Sequence, residues 1–456
     1  MVNIEKPTLW SSRYAFLLAC IGAAVGLGNL WRFPFEAGKN GGSAFVLVYL
    51  LFIFLICIPI IMAELALGRR GRASPVKAIR QLIQAENLGQ GWQVVGWLSI
   101  ITPFIAISFY SVVAGWTLEY VYQAVGGAFA GYSSTDSGRA FNALLMSPGR
   151  MLWLHSLFLA LAVFIVSRGL KGGIEWIAKL VMPLLFLLLL IMVVNAFLNA
   201  DIKQGLAFLF KPDFSKITPD IAFLALGQAF FSVSVGVGAL LTYGAYLPEG
   251  VSIPKSAVAI ALVDTAVALL AGIAIFPLVF AYGLQPDSGP GLIFVTLPVA
   301  FGQMTGGPFL GALFFALMFL AAFSTVVAML EPVVAWCVDH KQVSRPLMAL
   351  ATGVLAWLLG IAAIFSFNIW QTVRPLSFIP LMADKDIFEL FDFIVSNLLI
   401  PLNGLFIALF AGWAISRHAM FSELALKNTY LVNYWIISVR YLAPVAIVLV
   451  LISSMN

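Results

Sequence analysis

Gly22-Ala23-Ala24-Val25-Gly26-Leu27-Gly28-Asn29, running on into Leu30-Trp31-Arg32-Phe33-Pro34, lies inside an apolar stretch long enough for a helix yet interrupted by glycine at its centre. Glycine weakens a helix interior by about 1 kcal/mol relative to alanine, so a Gly-x-Gly at mid-helix invites the backbone to unwind. The run Phe231-Ser232-Val233-Ser234-Val235-Gly236-Val237-Gly238 repeats the device, with Ser232 standing 210 positions after Gly22.

The rest of the chain decides what solvent surrounds these breaks. Of 456 residues, 62% are hydrophobic and 10% charged, against about 25% charged in soluble domains. So apolar a chain has lipid as its solvent. Crossing a ~30 Å hydrocarbon core takes about 20 apolar residues. Eleven such runs are present, near 12–36, 41–68, 92–123, 151–167, 174–198, 219–246, 255–283, 308–338, 346–366, 387–415 and 434–453. Strand alternation is absent and a backbone in lipid must bond to itself, so the expectation is an all-α polytopic membrane protein. The glycine breaks then open two sets of five spans, 12–198 and 219–415, and 434–453 is an additional helix.

With the N-terminus inside, cytoplasmic segments hold fifteen of the 25 Lys and Arg residues and external ones eight, with Arg32 and Arg440 in or beside spans. That asymmetry places the N-terminus in the cytoplasm, and an odd span count places the C-terminus outside. The first run shows no small-residue cleavage site and reads as a retained span of a multi-pass protein of the inner (plasma) membrane. The segment 284–307 is itself apolar and reads as a helical lid over an external vestibule.

Several functions are poorly served by this composition. A net charge of +5 is too dilute for nucleic acid. Cys20, Cys57 and Cys337 lie in apolar runs, and His155, His340 and His418 are scattered. No disulfide framework, metal cluster or nucleophile–base pair emerges, so the chain does not read as an enzyme.

Unwound backbone in a membrane must line a cavity or be covered by protein. Glycine-broken spans at matching places in two halves point to a transporter's binding site: half-helix N-termini face an anionic group and freed carbonyls face a cation. Close helix packing is the plainer use of such glycines, but the matched pair, with Asn29 and Ser232 beside it, favours a site. Ionisable residues within spans add to this, since each is costly unless paired or hydrated. Arg32 follows the first break and Asp392 opens the tenth span at the outer side, which puts the two within reach of each other across a vestibule. Asp264 lies deep in the seventh span, where a lone carboxylate needs a cation such as Na+. Glu64, Glu119 and Glu331 lie in or near other spans, and for Glu64 a structural hydrogen bond serves as well as a functional role.

The run Gly26-Leu27-Gly28-Asn29-Leu30-Trp31-Arg32-Phe33-Pro34, with Asn40-Gly41-Gly42, resembles the signature of the neurotransmitter:sodium symporters. Gln228-Ala229-Phe230-Phe231-Ser232-Val233-Ser234-Val235-Gly236 resembles that family's second signature, and the likeness extends over nearly the whole chain. The resemblance implies two inverted five-helix repeats, the arrangement this family illustrates, and two sodium sites. One sodium would meet Ala24, Asn29, Ser232, Asp264 and the substrate carboxylate. The other would meet the carbonyls of Gly22, Val25 and Ala321 and the hydroxyls of Ser324 and Thr325, a pair that on its own reads as helix back-bonding.

The resemblance also implies a sodium-coupled symporter of a small amino acid working by alternating access. Gly26 stands where monoamine carriers have an aspartate, so the substrate is expected to bring its own carboxylate. That carboxylate would be held by sodium, the backbone around Leu27 and Gly28, and Tyr110; the ammonium would meet carbonyls near Ala24, Phe231 and Ser234. The side-chain pocket would comprise Ala106, Phe231, Val237, Thr325 and Met329. It holds no charge, which implies a neutral side chain. Ala106 and Val237 are smaller than their counterparts in a leucine-carrying relative, which implies room for a bulky hydrophobic or aromatic one.

Three departures from the family matter. Asp264 supplies a fixed negative charge where animal members use chloride, so chloride is not expected. The inner-gate arginine is replaced by Pro7, leaving Lys6 as the candidate substitute beside Trp10, Tyr246 and Asp339. Many relatives carry a twelfth span outside the ten-helix core, and any oligomer is left open. A channel, a non-transporting amino-acid sensor on the same fold and a proton-coupled carrier using Asp264 are the rival readings.

Overall fold

The computed structural model describes residues 8–286, 291–341 and 343–454. Among the described residues, nine uninterrupted helices are long and apolar enough to cross a membrane: Ser43–Gly71, Gln90–Val125, Pro148–Ser167, Leu170–Asn199, Ile253–Ala281, Gly307–Lys341, Arg345–Phe365, Ile387–Ala414 and Thr429–Ser453. The first span is a bent pair, Arg13–Ala24 and Gly28–Lys39, at 50°. The sixth is Pro219–Ser232 and Ala239–Ala245, joined by six non-helical residues. Counting each broken pair once gives the eleven spans read from hydropathy. Lys6, Pro7 and the Gly-Pro start of the lid lie outside the described residues.

Local chemistry accounts for the breaks. Val25 leaves the helical region at φ −68°, ψ 103°, which frees the last carbonyls of the inner half-helix. In the sixth span Ser234, Gly236 and Gly238 all have positive φ, at 54°, 80° and 90°, a region glycine enters readily. The spans themselves begin on caps. Ser12 accepts from the Ala15 N–H at 3.1 Å and Thr218 from the Ile221 N–H at 3.3 Å, while Asp386 and Glu389 form a capping box.

The third and eighth spans pack together along their length, and the inner first half-helix lies against the eighth. Leu180, Leu184, Leu187 and Leu190 on the fifth span stay exposed, an outward apolar face suited to lipid. The expected lid forms as Leu292–Thr296 and Leu297–Gln303. Phe294 sits among Trp116, Tyr120 and Phe141 with ring centroids 5.2–5.5 Å apart, and its carbonyl accepts from the Tyr120 hydroxyl at 2.7 Å. The lid is thereby fastened to the third span at the end remote from the N-terminus.

Candidate functional site

The two breaks meet at mid-bundle between two oxygen clusters. In the first cluster the Thr325 hydroxyl faces the carbonyls of Gly22 at 3.4 Å, Val25 at 3.3 Å and Ala321 at 3.1 Å. The Ser324 hydroxyl donates to the same Ala321 carbonyl at 3.0 Å. A hydroxyl has one proton to give, so Ser324 and Thr325 bring two protons to three carbonyls, and the converging lone pairs outnumber the donors. Such an excess of neutral oxygens suits a hard monovalent cation. These are the residues expected for the second sodium.

The second cluster carries charge. The Asn29 amide nitrogen donates to Asp264 Oδ1 at 2.9 Å, to the Asp264 carbonyl at 3.0 Å and to Ser232 Oγ at 3.0 Å. Ser232 donates to Asp264 Oδ2 at 2.8 Å, and the Tyr49 hydroxyl lies 3.0 Å from Ser232 Oγ. The Asn29 oxygen accepts from the Gly26 N–H at 3.2 Å, so a half-turn of the amide is what would present it to an ion instead. Asp264 is fully buried, and among the described residues no basic side chain is ion-paired with it. A carboxylate so placed is compensated only by neutral donors, which leaves it suited to a cation.

Between the clusters lies a cavity of about 10 Å³, room for roughly one water. It is lined by Ala24, Gly28, Tyr110, Phe231, Ser234, Val237, Thr325 and Met329, together with Gly26 and Ile400. Eight of the ten residues expected to hold substrate therefore converge. Leu27 stands just outside, giving its N–H to the Tyr110 hydroxyl at 2.7 Å. Ala106 is buried one helical turn from Tyr110 without lining the cavity. A Cβ on Gly26 would collide with the Tyr110 and Thr325 hydroxyls, so a side chain there must displace both. Ser234 also ties the two breaks together, donating to the Ala23 carbonyl at 3.0 Å.

Tyr49 and Asn403 escape a reading of motifs, while Gln228, within the second signature, and Glu64 are legible in sequence without their partners. Tyr49 bonds the charged cluster, and Gln228 donates to the Gly28 carbonyl at 2.8 Å. Glu64 accepts from the Gly236 N–H at 2.6 Å, and Asn403 donates to the Gly236 carbonyl at 2.7 Å. The only available signal was a polar residue within an apolar run, which says nothing of its partner across the bundle.

Toward the lid opens a second cavity of about 640 Å³, lined by Arg32, Phe231, Tyr110 and Asp392 among others. Phe231 and Tyr110 line both cavities and form the thin partition between them. Arg32 and Asp392 share this vestibule but do not pair. Arg32 is 3.9 Å from Glu36, one turn along its own helix, and stacks over Phe231 at 4.7 Å. Asp392 accepts from Ser396 at 2.8 Å. Each finds a local partner first, which is why the contact across the vestibule is not made.

The opposite face is thicker. The Trp10 indole donates to the Tyr243 carbonyl at 3.0 Å, and its backbone N–H to the Tyr246 carbonyl at 3.1 Å. The Tyr246 hydroxyl donates to Glu331, which is ion-paired with Arg345. Asp339, expected with Trp10 and Tyr246 as an inner-gate element, accepts from the Ser74 N–H at 3.1 Å and lies 4.0 Å from Lys77.

Comparison with known proteins gives the family and the fold. The family model described as the sodium:neurotransmitter symporter family matches residues 8–137 and 137–456. The uncharacterized sodium-dependent transporter YhdH of Bacillus subtilis (strain 168) is 34% identical over 452 residues, 98% of each chain. An uncharacterized sodium-dependent transporter of Haemophilus influenzae is 32% identical over 99% of each. Among solved structures, MhsT in complex with L-phenylalanine matches with a TM-score of 0.89 at 41% identity, covering 98% of this chain and 99% of that one. The chain belongs to the sodium:neurotransmitter symporter family.

Proposed function

We propose that this protein carries a neutral hydrophobic or aromatic α-amino acid into the cell by sodium symport and alternating access. The observation that carries the reading is an uncharged pocket flanked by two oxygen clusters, one neutral and one bearing Asp264. In this reading Gly22, Val25, Ala321, Ser324 and Thr325 hold one sodium. Ala24, Asn29, Ser232 and Asp264 hold the other, together with the substrate carboxylate. The backbone at Leu27 and Gly28 and the Tyr110 hydroxyl hold that carboxylate, and Ser234 with the carbonyls at the two breaks takes the ammonium. No ionic side chain lines the pocket to receive a charged substituent, which would be costly to bury unpaired. The MhsT structure, bound to L-phenylalanine, supports an aromatic occupant.

The fixed charge of Asp264 makes transport independent of chloride. The N-terminal face is cytoplasmic on the Lys and Arg count, which makes the 640 Å³ vestibule external. Residues 12–198 and 219–415 act as the two inverted repeats, with the last span appended. Arg32 and Asp392 close the vestibule by giving up Glu36 and Ser396 for each other. Trp10 and Tyr246 close the inner face, with Asp339, on the eighth span and bonded to Ser74 and Lys77, as the third element.

Uptake of radiolabelled amino acids into proteoliposomes, with and without an inward sodium gradient, tests this. Sodium-driven accumulation of an apolar or aromatic species is expected. Saturable binding without accumulation would identify a sensor instead, and accumulation driven by a pH gradient alone would identify a proton-coupled carrier.

A further inference from the structure

We propose that Ile400, on the tenth span, is the gauge that sets the largest side chain the central pocket admits. The inference rests on the amino-acid carrier reading and names the residue that determines its specificity. A cavity of about 10 Å³ accepts no side chain until a wall gives way, so the question is which wall moves.

Most walls are fixed by close backbone packing. A Cβ on Gly28 would lie 2.9 Å from the Phe231 ring, so the first and sixth spans already touch there. Val237 sits between Gly236 and Gly238 and cannot retreat. Gly236 is held at its N–H by Glu64 of the second span, and Gly238 abuts the Ser99 carbonyl of the third. Tyr110 is tied to the Leu27 N–H. Ala24, Gly26, Ser234 and Thr325 belong to the polar end of the site.

Met329 and Ile400 remain. Methionine is unbranched and changes rotamer readily, so Met329 adapts to a substrate without measuring it. Isoleucine is β-branched and stiff about χ1. The backbone of Ile400 is also pressed against the unwound turn, since a Cβ on Gly236 would collide with the Ile400 carbonyl. Ile400 therefore moves only with its span.

The span is built to shift there. A π-helical segment, Ile394–Leu399, directly precedes Ile400, and Pro401, which lacks an N–H, follows it. The same span presents Phe388, Asp392, Phe393 and Asn397 to the vestibule. A side chain too large for the gauge holds the tenth span outward and with it the vestibule wall. Oversize is thus registered as a failure to occlude as well as a weaker fit.

The test compares leucine, phenylalanine and tryptophan for the wild type, Ile400→Ala, Ile400→Val and Ile400→Phe. Uptake in proteoliposomes and competition binding in detergent are both read. Ile400→Ala is expected to raise the tryptophan-to-leucine ratio of kcat/KM about tenfold or more, the scale of a methylene-sized change in an apolar pocket. Ile400→Val should shift it the same way by less. Ile400→Phe should lower it, with part of the loss in kcat, as failed occlusion requires. Unchanged ratios in Ile400→Ala and Ile400→Val, both shown to be folded by thermal unfolding, overturn the proposal. Wild-type binding without accumulation overturns only the carrier reading, because binding ratios need no turnover. Absence of binding of all three amino acids overturns both.

Discussion

The hydroxyl of Tyr246 donates to Glu331 at 2.8 Å, and Glu331, fully buried, is ion-paired with Arg345. Arg345 donates in turn to the Val166 carbonyl at 2.9 Å. The inner half of the sixth span is thus bonded to the eighth, and through Arg345 to the ninth and the end of the fourth. With Trp10 lodged against Tyr243 and Tyr246, this chain of bonds keeps the N-terminal face shut while the vestibule stands open.

Removing Arg345 and removing the Tyr246 hydroxyl should therefore differ in kind. Arg345→Ala strands a buried carboxylate, at a cost of about 3–5 kcal/mol, and a lower melting temperature is expected. Tyr246→Phe loses one hydrogen bond to a charged group, about 1.5–3 kcal/mol, and only in the state with this face closed. Cys20, buried on the inner half of the first span, is the natural reporter. Its maleimide labelling, resolved by peptide mass, should rise in Tyr246→Phe. Labelling at the wild-type rate would show that this bond does not hold the face closed.

Asp264 should make chloride dispensable. Among the described residues its carboxylate is met by the neutral donors of Asn29 and Ser232, which leaves the sodium proposed beside it as its counter-charge. Replacing chloride with gluconate should leave wild-type uptake unchanged. Asp264→Asn keeps the shape and removes the charge; half-saturating sodium should rise tenfold or more, about 1.4 kcal/mol. Wild-type transport that stops in gluconate sinks the assignment.

The spans were legible because a lipid-facing helix must be apolar for about 20 residues, and that signal survives without any knowledge of neighbours. The edges were less so. Lys171, Gly172, Gly173 and Glu175 look like a loop, yet Leu170–Glu175 continues the fifth span as a π-helical turn. Asn428 and Thr429 look too polar to begin a span, but Asn428 caps the helix that does. Within the site, the glycine breaks announced themselves, whereas Tyr49, Asn403 and Ile400 are single residues whose roles depend on the register of one span against another. Arg32 shows the complementary failure: its sign and depth suggested Asp392, while Glu36, one helical turn away, takes it.

Gly26 should not tolerate a side chain, even the aspartate that would pair a monoamine. The Cβ alone would collide with the hydroxyls of Tyr110 and Thr325, which serve the proposed carboxylate and sodium sites. Gly26→Ala is expected to abolish saturable amino-acid binding while the protein remains folded, as read by thermal unfolding. Gly26→Asp should bind neither amino acids nor amines. Retained binding in Gly26→Ala would mean that the pocket opens around this position far more than its packing suggests.

Thr325 carries the sharpest consequence for coupling. Its hydroxyl faces the carbonyls of Gly22, Val25 and Ala321 together, and valine replaces it with a methyl of nearly equal volume. Thr325→Val should leave the charged cluster around Asp264 intact and weaken the neutral one. The sodium dependence of uptake is then expected to lose its sigmoidal form, its Hill coefficient falling toward one, with a higher sodium requirement. Ser324→Ala should act in the same direction but more weakly, since Ser324 bonds one of those three carbonyls, that of Ala321. If Thr325→Val instead keeps the wild-type Hill coefficient and sodium affinity, the neutral cluster does not bind the ion, and coupling must rest on Asp264 alone.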